Sequence, residues 1–247
     1  MIARRGYLCV LFVMNVFLLQ ACTQTMKTET YQTGVGALKV TLLGHASLML
    51  EYVGKVIYID PYSKVADYSK LPKADLILLT HEHADHLDMS AIEQIKTEKT
   101  EFVGSKTCHE ILKCGIVLYN GDIIRPYGFS IKAVPAYNLV HKRPNGEFFH
   151  PKDRGNGYVF LFGKLKMYVA GDTENIPEMA KLGLVDIAFL PKNEPYTMDD
   201  SMFLDAVEKV HPRILYPYHY FEFDKETLLP KLKAMGVTVV LHEEVTK

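Results

Sequence analysis

An α/β fold is the expectation for this chain. Short apolar β-type runs alternate with helical patterns through two halves of similar rhythm, and each half ends several of its strands in Asp or His. The 247 residues and a 48 % hydrophobic content supply a sizeable core for one large domain or two small ones. Disorder is not indicated, and a formal net charge of −1 offers no basic face to nucleic acid.

The first element in order is a targeting segment. Arg4 and Arg5 make a basic start, Tyr7 to Leu19 is an apolar run of thirteen residues, and Leu19-Gln20-Ala21-Cys22 follows. Such a run is too short for an ordinary membrane span. The tetrad resembles a bacterial lipobox. That resemblance implies removal of residues 1–21, a lipid on Cys22, and attachment to the bacterial cell envelope on its extracytoplasmic side, with a plain secretory signal or an uncleaved anchor as the alternative. The chain without residues 1–21 has 26 basic against 29 acidic residues. Residues 22–35 are Thr-rich without an apolar period and read as a tether, which leaves 36–247 for the folded domain.

That domain opens as a meander. Leu38 to Leu43, Leu48 to Tyr52 and Val56 to Ile59 are β-type runs joined by Gly44-His45-Ala46-Ser47 and Val53-Gly54-Lys55, and Asp60-Pro61 ends the third. Asp75 to Leu79, a continuous run rich in branched aliphatics, reads as a buried strand. Helices are expected over Met89 to Lys99 and Lys106 to Lys113, with strands at 102–104, 116–119, 122–125 and 129–134. Cys108 and Cys114, six apart on the second helix, read as buried free thiols, and a disulfide requires a turn near Gly115. Pro135 to Gly157 has no clear period and concentrates His141 and His150, as functional or disordered connections do. A hairpin of Tyr158 to Phe162 and Lys166 to Ala170 then runs into Gly171-Asp172-Thr173. A short helix near 176–182, a strand at 186–190, a helix at 201–210, a strand at 214–218 ending in His219, a helix at 225–234 and a strand at 237–241 complete the chain.

The densest chemistry follows the Asp75 to Leu79 strand, in Thr80-His81-Glu82-His83-Ala84-Asp85-His86. Three imidazoles and a carboxylate within six residues are the donor set of a borderline divalent ion such as zinc. Alternate residues on an extended segment point the same way, so His81 and His83 can converge on one ion while Asp85 and His86 serve a second. The zincin helix motif H-E-x-x-H is excluded, because Asp85 stands where its second His would be.

Taken with Gly44-His45-Ala46-Ser47, Ile59-Asp60-Pro61, Gly171-Asp172-Thr173 and Pro217-Tyr218-His219-Tyr220, this loop resembles the metallo-β-lactamase superfamily. The likeness extends to the branch that includes ascorbate-6-phosphate lactonase-like proteins and, more distantly, the N-acyl phosphatidylethanolamine phospholipase D group. The resemblance implies a single domain, a four-layer αββα sandwich, with two divalent metal ions at one edge of the paired sheets. Zinc is the first choice, and Mn2+ or Fe2+ are alternatives. His81 and His83 would hold the first ion, Asp85, His86 and His219 the second, and Asp172 would bridge them. His150, in a His-Pro-Lys element, is chosen over His141 as the remaining ligand, because Asn138 occupies the place where related branches have an imidazole.

Asp60 is expected to accept a hydrogen bond from a ligand imidazole, and His45 to line the pocket or cap a strand. Tyr196, in Tyr196-Thr197-Met198-Asp199, is a candidate substrate contact, and Asp199 or Asp200 a helix cap. Asn193-Glu194-Pro195 departs from the branch's usual Gly-Gly, so the pocket rim is expected to differ. The implied reaction is hydrolysis by a metal-bridged water, with Asp85 or Asp172 as base, on an ester, lactone or phosphodiester bond of a small-molecule or lipid substrate. A redox di-iron centre is disfavoured by His83. The alternative outside catalysis is a lipid-anchored binding protein with a non-catalytic metal site.

Overall fold

The apolar runs of the first half pair into a seven-stranded sheet. In this computed structural model, which describes residues 26–242, β1 (Lys27–Gln32), β2 (Ala37–Gly44), β3 (Ser47–Tyr52) and β4 (Lys55–Ile59) form the antiparallel part. β5 (Leu76–Leu79), β6 (Glu101–Gly104) and β7 (Ile116–Val117) extend it in parallel through α1 (Met89–Ile95) and α2 (Lys106–Leu112). The second sheet repeats the scheme. β8 (Ile123–Ile124), β9 (Ser130–Ala136), β10 (Gly155–Phe162) and β11 (Leu165–Val169) are antiparallel, and β12 (Ile187–Pro191), β13 (Ile214–Tyr218) and β14 (Thr238–Val239) follow in parallel with α3 (Asp200–Val210) and α4 (Lys225–Ala234).

Three apolar layers hold these elements. Between the sheets, Leu50, Ile57 and Leu78 of the first share one buried cluster with Phe160, Met167 and Phe189 of the second. Outside the first sheet, Ile92, Ile95 and Cys108 from the two helices pack with Ile77 and Leu79. Outside the second, Phe203, Val207 and Leu228 pack with Tyr168, Leu190 and Leu215. The central parallel strands β5 and β12 are therefore buried on both faces, which is why they read as unbroken apolar runs. The result is the expected αββα sandwich. Truncating a central side chain such as Phe189 to Ala costs about 3–5 kcal/mol, against roughly 5–15 kcal/mol for a whole domain.

Several expectations need correction. Part of the tether is structure, because Lys27–Gln32 forms an edge strand along β2. The first helix ends at Ile95, where Lys96 turns extended. α2 ends at Leu112 with Lys113 left-handed, so Cys114 lies past the helix and is exposed, while Cys108 is buried. Of the two readings of the Pro135 to Gly157 connection, functional or disordered, the second does not hold, since the segment closes a small hairpin through a bridge between Lys142 and Phe148. The leader, the lipobox and Cys22 lie outside the described residues. Among the described residues no helix is long and apolar enough to cross a membrane.

Candidate metal centre

The site forms where both sheets end their parallel strands. Asp60 follows β4, the His81 to His86 loop follows β5, Asp172 follows β11, Asn193 follows β12, and His219 follows β13. His45 sits in the turn between β2 and β3. The two edges are tied together by backbone: His219 N–H donates to His45 O at 3.0 Å and Asn156 N–H to Thr80 O at 2.8 Å. Gly171 permits this approach. It sits at φ +67, and a Cβ there would lie 2.9 Å from Asn156 O and 3.1 Å from Thr80 Cβ. His45, Asp60 and His219 also adopt left-handed backbone, at φ +52, +47 and +51. Such conformations cost about 1–3 kcal/mol each and collect where surrounding structure enforces them for a site.

The geometry brings the candidate donors into three overlapping groups, each with its ligand atoms within 4.8 Å of one another: His81, His83 and His150; His81, His86 and Asp172; His45, Asp85, His86 and His219. The buried Asp172 carboxylate lies at the centre, 3.4 Å from His86 Nε2, 3.3 Å from His150 Nε2 and 3.3 Å from His219 Nε2. Asp85 Oδ2 is 3.7 Å from His219 Nε2 and 3.0 Å from His45 Nε2. The Nε2 atoms of His86, His150 and His219, and Asp172 Oδ1, are buried without a hydrogen-bond partner. Buried polar atoms are almost always satisfied, so four orphans facing one another fit a metal cation among them. His141 turns elsewhere, with Nδ1 2.9 Å from Oε1 of the buried Glu174.

Each imidazole is aimed by its other nitrogen. Asp60 Oδ2 is 2.8 Å from His86 Nδ1 and accepts from Thr80 Oγ1 at 2.6 Å, and Thr80 Oγ1 is 3.0 Å from His81 Nδ1. Asn138 Oδ1 accepts from the His150 backbone N–H at 2.7 Å and lies 2.8 Å from its Nδ1. Asn193 Nδ2 lies 3.1 Å from His219 Nδ1. His83 has Nδ1 2.9 Å from His81 Nε2, and its Nε2 faces Arg143 Nη2 at 3.2 Å. Tyr196 stands half-exposed on the rim, edge-on to Phe149 with ring centroids 5.0 Å apart.

Sequence reasoning missed Thr80, Asn193 and Arg143 as contacts of site imidazoles, and saw Asn138 only as a departure from pattern. Glu174 was missed as well; it holds the 139–141 backbone by accepting three N–H bonds at 2.7–2.8 Å. The clue for Asn138 was its place in Pro135-Ala136-Tyr137-Asn138, where an imidazole was expected.

Apart from His86, the electrostatics suit cation binding. Burial pushes His81 well below the ordinary imidazole value, and holds His83 and His219 down to about 4, which keeps their lone pairs free. Burial opposes ionisation of Asp172, but the neighbouring His219 and His86 outweigh it and hold the carboxyl well below its usual range. Asp85 is also lowered, burial being overcome by the hydrogen bond from His45 and by His86. His86 is raised, because Asp172 and Asp60 flank it and outweigh its burial.

Buried nitrogen and carboxylate donors at the open edge of a two-sheet sandwich define a metal-dependent hydrolase site. Residues 39–219 match the family described as "Beta-lactamase superfamily domain". The chain is 33 % identical over 217 residues to the UPF0173 metal-dependent hydrolase of Thermoplasma acidophilum, covering 82 % of this chain and 92 % of that protein. It is 30 % identical over 190 residues to that of Nanoarchaeum equitans, covering 74 % and 84 %. Among solved structures, a protein assigned as a metal-dependent hydrolase from Parabacteroides distasonis superposes with TM-score 0.84 at 43 % identity, covering 89 % of this chain and 99 % of its own. Igni18, a metallo hydrolase from Ignicoccus hospitalis, gives 0.69 at 25 %, covering 84 % and 96 %. The chain belongs to the metallo-β-lactamase superfamily, in its UPF0173 metal-dependent hydrolase family.

Proposed function

We propose that this chain hydrolyses an ester, lactone or phosphodiester bond with two divalent cations. Zinc fits the nitrogen-rich donor set best, with Mn2+ or Fe2+ as alternatives. His81, His83 and His150 would hold one, Asp85, His86 and His219 the other, and Asp172 would be shared. The observation that carries this reading is the set of orphaned buried atoms of His86, His150, His219 and Asp172 facing one another. Such a pair would supply Lewis acidity there, making a bound water more acidic and offsetting the negative charge that its attack develops.

The chain's own groups do the rest. Asp172 and Asp85, both held ionised, can accept the attacking water's proton, so no serine or cysteine nucleophile is required. His45, 3.0 Å from Asp85, orients that carboxylate. Tyr196 and Phe149 form the aromatic rim by which a substrate enters. The motif likeness to lactonase-like and phospholipase-like branches supports the bond classes named.

The test is metal content together with turnover of a panel of phosphodiesters and lactones, with His83→Ala as control. Turnover lost on chelation, restored by zinc and absent from the variant is the expected result. Metal retained with no turnover on any class would instead support a binding protein with a non-catalytic site. We further propose that Cys22 carries a lipid, which would hold the enzyme at the envelope membrane beside lipid or small-molecule substrates. Cys22→Ser is expected to shift the protein from the membrane to the soluble fraction.

A further inference from the structure

Arg143 stands at the mouth of the site on the hairpin whose strands meet at Lys142 and Phe148. The hairpin is tied by Arg143 N–H to Glu147 O at 2.7 Å and Gly146 N–H to Arg143 O at 2.9 Å. The guanidinium lies over the Phe149 ring, 5.1 Å from its centroid, and Nη2 reaches Phe149 O at 3.5 Å and His83 Nε2 at 3.2 Å. Among the described residues no carboxylate pairs with it. Arg154, which lines the pocket together with His83 and Phe149, is by contrast neutralised by Glu82 at 2.5 Å. An unpaired, half-buried guanidinium held in place by a ring and a carbonyl is a preorganised cation without an anion.

The tautomer of His83 sharpens the point. Its Nδ1 faces His81 Nε2 at 2.9 Å, on the side of the cluster, and is the nitrogen a cation would take. A neutral imidazole has one proton, so a cation on Nδ1 leaves that proton on Nε2. Nε2 then becomes a donor, and Arg143 Nη2 loses its acceptor. Two donors side by side, one of them cationic, make a seat for an anionic oxygen.

We infer that Arg143, with the outer edge of His83, binds an anionic group of the substrate, a phosphate or a carboxylate, next to the scissile bond. Arg143 is thus a substrate-anchoring residue, and metal loading prepares it for use. The assignment rests on the metal-dependent reading of the site.

The experiment is calorimetric titration of zinc-loaded wild type and Arg143→Gln, at equal measured zinc per chain, with inorganic phosphate and separately with acetate. Loss of one charge-assisted contact is expected to weaken phosphate binding about 10- to 100-fold in the variant. A parallel loss for acetate assigns the seat to either anion, and unchanged acetate affinity narrows it to phosphate. Arg143→Lys keeps the charge but not the fork, is expected to fall between the two, and carries the comparison if the Gln variant does not fold. Equal phosphate affinity in wild type and variants, or no measurable phosphate binding to the zinc-loaded wild type, overturns the inference. The titration needs no turnover, so phosphate binding through Arg143 in a chain that hydrolyses nothing would count against the hydrolase reading alone.

Discussion

Asp60 and His86 meet as a buried pair, Oδ2 2.8 Å from Nδ1. The same oxygen accepts a hydrogen bond from the Thr80 hydroxyl, and Thr80 in turn lies 3.0 Å from His81 Nδ1. One carboxylate therefore sets the aim of imidazoles in both proposed cation sites. Asp60→Ala is expected to lower zinc affinity about 10- to 100-fold, read by competition with a chromogenic chelator. Asp60→Asn, which keeps an acceptor and tolerates the left-handed backbone, should lose less. Unchanged affinity in the Ala variant would remove Asp60 from the site.

Asn138 does for His150 what Asp60 does for His86, but with a neutral amide. Its Nδ2 donates to Glu174 Oε1 at 2.9 Å and to Tyr196 O at 3.0 Å, which leaves Oδ1 for His150. Asn138→Ala releases the imidazole and leaves buried partners unpaired. The expected outcome is a zinc affinity reduced about 10- to 100-fold and a stability loss of about 1–3 kcal/mol, by chelator competition and thermal unfolding. A variant that loses stability but keeps its zinc affinity would make Asn138 a loop anchor only.

These two roles show where the sequence is legible. The donors His81, His83, Asp85 and His86 are local, so spacing along one loop suffices to suggest a cation site. Asp172 and His219 are legible through strand-end motifs and their resemblance to a family. Asn193, Glu174 and Arg143 have no local signature, because their partners His219, the 139–141 backbone and His83 lie far away in the chain and meet them only once the strands are assembled, while Thr80, next to His81 in sequence, is marked out only by the bond it gives to the distant Asp60. The strand Lys27–Gln32 escaped for another reason: Lys-Thr-Glu-Thr-Tyr-Gln has no apolar alternation, and it is held by its ladder to β2.

Asp172 is the hub of the buried cluster, and its replacement tests the chemistry directly. Asp172→Ala removes the carboxylate proposed to be shared and to accept the proton, so turnover on any substrate identified by the panel is expected to fall by about 10²- to 10⁴-fold or more. Zinc per chain should fall with it. Full activity in this variant would end the two-cation reading.

The metal-free protein should be most stable near neutrality. His81, His83 and His219, lowered by burial, are neutral when folded but take protons on unfolding below the ordinary value of about 6.5. The unfolded chain then binds more protons between about pH 4 and 6.5, so stability rises with pH through that window and is lost on acidification. His86, raised by Asp172 and Asp60, works in the opposite sense: its contribution is complete below about 6.5 and fades as pH climbs through its raised value. Of these four imidazoles, the three lowered ones alone set the acid side and His86 the alkaline side. Chelator-treated protein is expected to show a Tm that falls on both sides of about pH 6.5–7, and a flat profile from pH 4.5 to 6.5 would contradict the burial of these imidazoles.

The edge strand Lys27–Gln32 supplies a test of where the folded domain begins. Tyr31 crosses from the first sheet to meet Tyr216 of the second, hydroxyl to hydroxyl, and Tyr216 is fully buried against Phe189 with ring centroids 4.7 Å apart. Thr28 Oγ1 and Thr41 Oγ1 add a bond of 2.8 Å across the ladder. If these residues were a tether, Tyr31→Phe would change nothing. As a strand, the substitution strands the buried Tyr216 hydroxyl at a cost of about 1–3 kcal/mol, which lowers Tm by roughly 2–4 °C per kcal/mol in a domain of this size. Tyr31→Ala should lose more, because the ring's packing on the inter-sheet core goes with it. Zinc content and phosphate affinity are expected to stay at wild-type values in both variants, since Tyr31 touches none of the site residues and acts only on the seam that holds the two sheets together.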